Sequence, residues 1–485
     1  MSALSLRNWL MAVPLIVPLI VLGACNSNGN SPETTPPPPE QSVDEFLAEL
    51  EQRTFRYFWE LTPPANGLVP DRSPSPSFSS IAAVGFGLTA YPIGVERGYV
   101  TRDQAIERVL NTLRFFRNAQ QGPQPTGVTG YQGFFYHFLD MNTGVRFQRI
   151  ELSTVDTTLL LGGILFCQSY FDRNTPAESE IRTLADEIYS AVNWQWAQAR
   201  PPAISMGWHP ETGFIDADWR GYNEAMLVYV LALASPTFPV GPDAWTEWTR
   251  TYDDSWGDVY GQEHLSFGPL FGHHYSHAWI DFRGIRDAYM RSRNLDYAEN
   301  SKRATYAQRA YAIANPMRWK GYDGSSWGLT ACDGPANMQL TYMGEQRQFR
   351  SYFARGVGLR DAFDDGTLCP SGAAGSMPFA PEIVLPALQE MRRRHNYIYS
   401  TYGFLGAFNP SFEYNVRLED GRLVPGAGWV ADDYLGIDQG IILLMLENHR
   451  SGFVWRVMRT NPHIRRGLER AGFTGGWLDA TTARQ

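Results

Sequence analysis

Ser153-Thr154-Val155-Asp156-Thr157-Thr158-Leu159-Leu160-Leu161-Gly162-Gly163-Ile164-Leu165-Phe166-Cys167 carries apolar residues around nearly every side of a helix and a single charge. A helix without a wet face belongs inside a large assembly. The segment 222–234 is of the same kind and stops before Pro236. Segment 79–97 is apolar and contains glycines, and 436–448 holds Ile441-Ile442-Leu443-Leu444-Met445. Between such segments stand amphipathic ones: 101–117, with Ile106, Val109, Leu110, Leu113 and Phe116, and 176–198, with a polar face. Period, caps and breakers predict further helices over 43–61, 277–293, 299–315, 380–395 and 453–458. Alternation of buried and half-solvated helices predicts two concentric rings, an all-α (α/α)6 barrel with long loops on one rim. A few short strands are expected in 127–150, where Phe134-Phe135-Tyr136-His137-Phe138 is β-like. No fixed repeat of about 34 residues marks a helical array.

The first 24 residues read as an export signal. Arg7 supplies the positive end, and an uncharged run from Trp9 contains Leu15-Ile16-Val17-Pro18-Leu19-Ile20-Val21-Leu22. That run is short for a bilayer span of about 20 apolar residues. It ends in Leu22-Gly23-Ala24-Cys25, which resembles the lipobox of bacterial lipoproteins and makes Cys25 the lipidated first residue of the mature chain. Asn26 behind it points to the outer membrane, with an envelope-anchored domain as the expectation. Residues 25–42, with Pro36-Pro37-Pro38-Pro39, have nothing to bury and form a semi-extended tether. Residues 43–485 then continue as one domain.

The net charge of −9 and the lack of a Lys/Arg stripe exclude nucleic acid as a partner. Aromatic residues make up 14% of the chain, and many tryptophans fall in Gly- or Pro-rich connections, where a core does not demand them. Trp208, beside His209, and Trp219, between Asp218 and Arg220, suit stacking on a sugar ring, and Trp327 in its Gly-rich segment joins them. Cys167 lies in an apolar helix as a free buried thiol. Cys332 and Cys369 both lie in loops, and an exported chain permits them to pair.

Cleaving a glycosidic bond takes one carboxylic acid to protonate the leaving oxygen and one carboxylate to attack or to activate water. Three acidic residues stand at the starts of apolar helices. Asp156 is the first, although Ser153 and Asp156 also fit a capping box. Glu224, in Asp218-Trp219-Arg220-Gly221-Tyr222-Asn223-Glu224-Ala225, is the second; it also suits a first turn by helix-dipole attraction. Asp438, in Asp432-Asp433-Tyr434-Leu435-Gly436-Ile437-Asp438, is the third and also fits an N-cap. Burial would raise the pKa of Glu224 and suit it to the acid's part.

Gly272-His273-His274-Tyr275-Ser276-His277-Ala278-Trp279-Ile280-Asp281-Phe282-Arg283 is the densest polar and aromatic stretch. His273 and His277 have a spacing that metal ligands use, but no acidic partner of the HExxH kind lies between them. Recognition of sugar hydroxyls by His274, His277, Asp281 and Arg283, with Trp279 stacking, is the expectation. Tyr222 and Asp333 join this binding set. No cofactor and no metal is expected, and neither a GxSxG elbow nor a P-loop stands in a strand–helix context.

Segments 153–161, 213–236, 271–283, 327–335, 372–382 and 436–448 together resemble the glycoamylase-like proteins, the group that includes glycoside hydrolase family 144. The resemblance implies an (α/α)6 barrel and a metal-free endo-β-1,2-glucanase, working by inversion on glucan oligo- or polysaccharide; apart from it, a monomer is expected. It makes Glu224 the acid, with Asp438 as base and Asp156 as a further acidic position. It adds Glu382, in the matched segment 372–382, to the substrate contacts. Cys332 and Cys369 depart from it, standing where small residues are expected. A glycan-capturing lipoprotein would keep the tryptophans without needing the carboxylates. A polysaccharide lyase would need basic residues against uronates, which the acidic balance opposes.

Overall fold

The structure, a computed structural model, describes residues 41–360 and 362–479. The described residues from Val43 onward group as one unit by their contacts. Cys25, the signal segment and most of the tether lie outside the described residues.

Twelve helices carry the architecture. They are α1 (Val43–Leu61), α2 (Ile81–Glu96), α3 (Arg102–Asn118), α4 (Thr154–Tyr170), α5 (Pro176–Ser190) and α6 (Met226–Ala234). They continue as α7 (Tyr275–Trp279), α8 (Tyr297–Ala314), α9 (Pro370–Ala374), α10 (Pro381–Arg394), α11 (Gly436–Arg450) and α12 (Pro462–Arg470). Six form the inner ring: α2, α4, α6, α7, α9 and α11. Helix α2 packs on α4, α4 on α6, α9 on α11, and α11 back on α2. The gaps are closed by Ser276, whose hydroxyl accepts from Leu227 N at 3.0 Å, and by His274 Nε2 against Ser376 Oγ at 2.8 Å. The amphipathic helices stand outside: α3 on α5, α12 on α6, and α1 on α11. The fold is an (α/α)6 barrel, and its sheets have only two or three strands each among the described residues.

Composition explains the division. All nine residues of α6 are buried, and so are α2 from Ile81 to Gly94 and most of α4. In α5 only one face is buried, with Ile181, Ala185, Ile188 and Tyr189. The inner helices also begin where caps permit. The Ser80 side chain accepts from Ala83 N and the Ser153 side chain from Asp156 N. Thr101 and Gln104 form a full capping box at α3.

The predicted helix 277–293 is broken in the structure. Helix α7 ends at Trp279, Gly284 takes a left-handed φ of 75°, and a separate turn of helix covers Ala288–Ser292. The side chain of Asp281 turns back to Arg283 Nε at 2.8 Å, which closes the chain into a loop. The predicted helix 176–198 ends at Ser190, followed by a short helix Trp194–Ala197. The predicted helix from 222 starts at Met226, leaving Glu224 in the preceding turn. The expected strands occur as Gly130–Tyr131, Phe134–Phe135 and Phe138–Leu139.

Cys332 and Cys369 form a disulfide, and Cys167 is free and buried. The bridge sits one residue before Asp333 and two before Ser371, both of which face the rim described below. It closes a loop of 37 residues of sequence separation. In a chain-entropy model that contributes about 4 kcal/mol. Replacing both cysteines by serine is expected to lower stability by about 2–4 kcal/mol in denaturant unfolding at neutral pH.

Candidate active site

The inner helices point their N-termini to one rim, and three carboxylates stand there. Asp156 and Asp438 lie in the first turns of α4 and α11. Glu224 precedes α6 and is held by its backbone: its carbonyl accepts from Ser276 Oγ at 2.9 Å, and Ala225 N donates to Asn223 Oδ1 at 2.9 Å. Tyr275, the first residue of α7, joins them. Burial carries its hydroxyl well above the usual tyrosine range, and Tyr352, Asp438, Glu224 and Asp156 each push it further. Asp156 and Asp438, in the first turns of two inner helices, and Glu224, in the turn before a third, thus all act on one phenol.

Their environments differ. Glu224 is pushed up to about 7, by burial first and then by the charge of Asp156. Its Oε2 is enclosed and has no hydrogen-bond partner among the described residues. Asp438 is 3% exposed and is pushed up to about 8 by burial, with Asp333 and Asp71 adding and Ser371 and Arg72 opposing. Its Oδ2 is likewise without a partner. Asp156 is raised by burial, but His137 and Ser153 work against the rise. The capping contact to Ser153 is real: Asp156 N donates to Ser153 Oγ at 3.2 Å.

Two polar groups flank the carboxylates. On one side His137 Nδ1 lies 2.8 Å from Glu151 Oε1, and Nε2 lies 3.5 Å from Asp156 Oδ1. On the other, Arg72 gathers four carboxylates: Asp333 at 3.2 Å, Asp71 at 3.4 Å, Asp433 at 3.7 Å and Asp420 at 3.9 Å. Arg72 is held there because its strand pairs with Leu435, immediately before α11. Tyr352 overlooks this side, 40% exposed, from a turn whose carbonyls at Arg350 and Ser351 accept from the buried guanidinium of Arg355. Arg355 in turn is paired with Asp365 at 2.7 Å, both wholly buried.

The predicted binding residues divide. Asp333 lies at the rim on Arg72. Trp208 is partly exposed on the side of Glu151: it pairs with Leu152, and its ring lies 5.2 Å from Tyr131. Trp219 is 7% exposed and donates from Nε1 to Thr154 Oγ1 at 2.9 Å, bracing the start of α4. Tyr222 is buried against Tyr297 and His273.

The rest are not sugar-facing. Trp279 is wholly buried, its ring against Gly162 and Phe86 and its Nε1 on Thr89 Oγ1 at 3.0 Å. Trp327 is equally enclosed. His274 and His277 are buried, bonded to Ser376 and Ser301, and burial pulls each down to about 3, so both are neutral. His273 faces Phe267 O instead. Asp281 pairs with Arg283 and Arg459 behind α7, and Arg283 lies over Trp455. Glu382 begins an outer helix and accepts from the Tyr306 hydroxyl on α8. Sequence reasoning missed Arg72, Asp71, His137, Glu151, Tyr275 and Tyr352. His137 and Glu151 were visible only as a His in a β-like run and an acid before a cap.

The family model described as "Glycoamylase: Putative glucoamylase" matches residues 216–462. The crystal structure of a "putative glucoamylase" from Bacteroides uniformis has a TM-score of 0.77 and 30% identity, covering 91% of this chain and 100% of that one. The chain belongs to the glycoamylase family. The endo-β-1,2-glucanase of Chitinophaga pinensis, solved with sophorotriose and glucose, has a TM-score of 0.75 and 27% identity, covering 90% of this chain and 100% of that one. An exo β-1,2-glucooligosaccharide sophorohydrolase (non-reducing end) from Parabacteroides distasonis is 27% identical over 480 residues. The alignment takes in 92% of this chain but spans only 60% of that relative's length.

Because Glu224 and Asp438 have folded pKa values above those of free carboxyls, the folded protein binds protons the unfolded chain releases. Stability therefore falls as pH rises from about 4 towards 8. Glu224→Gln and Asp438→Asn remove that loss. Each is expected to raise Tm relative to the unaltered protein at pH 8 and to change it little at pH 4, measured by calorimetry.

Proposed function

We propose that this chain is a glycoside hydrolase that cleaves β-1,2-linked glucan to short oligosaccharides by inverting acid–base chemistry. The observation that carries the reading is the convergence of Glu224, Asp156 and Asp438 on Tyr275, in a chain of this family. Glu224 acts as the acid. Burial keeps it protonated close to neutrality, as protonation of a leaving oxygen requires. Asp438 acts as the base: the fraction of it that is ionised near neutrality takes a proton from the attacking water, leaving the new reducing end with inverted configuration. The β-1,2-glucan activities of the Chitinophaga and Parabacteroides relatives support the linkage. Trp208 at one end of the carboxylate row and Asp333 with Arg72 at the other are the sugar contacts. We further propose that residues 1–24 are an export signal, that Cys25 anchors the domain as a monomer in the cell envelope, probed by mass spectrometry of the mature N-terminus.

Incubation with linear β-1,2-glucan, β-1,3-glucan and starch, followed by chromatography, tests the substrate. Short β-1,2-glucooligosaccharides are expected, and release from starch alone would refute the linkage. Proton NMR during turnover should show the α-anomer first. Glu224→Gln should lower kcat by about 100-fold or more while binding persists. The pH profile of kcat/KM should be bell-shaped with limbs near pH 7 and 8, shared by Glu224 and Asp438 as a pair.

A further inference from the structure

His137 is placed so that neither ring nitrogen can serve as a free acceptor. Nδ1 faces Glu151 at 2.8 Å and Nε2 faces Asp156 at 3.5 Å. A neutral imidazole would turn a lone pair on one of these carboxylates; an imidazolium offers a proton to each. The backbone fixes this pose. His137 N donates to Glu151 O at 3.0 Å, Ile81 N donates to His137 O at 3.2 Å, and the ring stacks on Phe138 at 3.9 Å.

We propose that His137 is a fixed imidazolium and a positioning residue, which holds Asp156 ionised so that its negative charge in turn keeps the proton on Glu224. The inference rests on the hydrolase reading for its catalytic consequence, though not for the charge of the ring. The groups facing His137 from the packed elements are Asp156 on α4, Glu151 just before the strand Leu152–Ser153, and Asp71 between α1 and α2. Asp71 is itself beside Arg72 at 3.4 Å, and Glu151 is faced in turn by His209. Burial opposes the charge on the ring, but Asp156, Glu151 and Asp71 outweigh it and lift His137 to about 9. The effect on the partners is consistent: His137 works against the rise of Asp156, and the charge of Asp156 raises Glu224. The order is a cation beside an anion beside an acid, so Asp156 and Glu224 are given unequal tasks by one ring.

Two measurements on the full chain decide it. Nitrogen-15 shifts of the histidine rings, with His137 assigned by its loss in His137→Gln, should show both ring nitrogens protonated from pH 5 to 8. A neutral-tautomer signature at pH 7 overturns the proposal, and this readout holds whether or not the chain turns over any glucan. In the pH profile, His137→Gln should move the alkaline limb of kcat/KM to lower pH, because Asp156 then takes a proton nearer neutrality and no longer holds the proton on Glu224. Asp156→Asn alone should move the same limb the same way, and adding His137→Gln to it should move it no further. A merely structural ring would lower kcat/KM at every pH and leave the limb in place, which also overturns the proposal. Absence of turnover in the unaltered chain would instead sink the hydrolase reading and leave the ring measurement standing. If His137→Gln does not fold, assignment through Asp156→Asn, which should lower the ring's proton affinity, serves the same purpose.

Discussion

The contact on which everything else depends is the meeting of α2 and α4, backbone against backbone. A Cβ added to Gly163 would lie 2.1 Å from Gly85 O, and one added to Gly85 would lie 2.1 Å from Leu159 O. No side chain fits there, so only glycine at both positions lets the two inner helices touch. That approach sets the width of the inner ring. It brings Ser80 and the chain before it, with Asp71, next to the first turn of α4, with Asp156. Carboxylates this close cannot all ionise freely, and the pKa ordering of the rim follows from that crowding.

The carboxylate row is therefore an electrostatic arrangement as much as a steric one. One guanidinium, Arg72, stands among Asp71, Asp333, Asp420 and Asp433, and one imidazole stands between Glu151 and Asp156. Glu224 and Asp438 have no cation in direct contact among the described residues. They are the two that burial drives to about 7 and about 8. Rigid supports hold these groups: the Cys332–Cys369 bridge beside Asp333, and the buried Arg355–Asp365 pair beneath Tyr352.

Much of this was legible in the sequence, for physical reasons. Asp156, Glu224 and Asp438 each open an apolar helix, and such a helix can only be an inner one, so their helix starts had to share a rim. The alternation of buried and half-wet segments gave the two rings. Trp279 was misread because its neighbours are polar. The expected helix is there only as a short one, and it turns the ring inward where Gly162 leaves room. Glu382 opens a helix too, but α10 is amphipathic and stands in the outer ring, so its start does not face the cleft. Arg72 and His137 were illegible because their meaning lies in distance along the chain: Arg72 meets Asp333 across 261 residues. No local pattern marks a residue whose partners arrive from elsewhere.

Trp279 has a consequence of its own. It stands on α7, yet it hydrogen-bonds Thr89 of α2 and packs on Gly162 of α4, reaching across the inner ring. Phe86 lies stacked beside it at 5.0 Å. The bore of the barrel is plugged with indole and phenyl rings. A polymer that reaches the carboxylates cannot be threaded through the axis; it must lie across the mouth and depart by the side from which it came. Length selection then falls to the loops that border the mouth, and the plug leaves the barrel free to change them without loosening its centre.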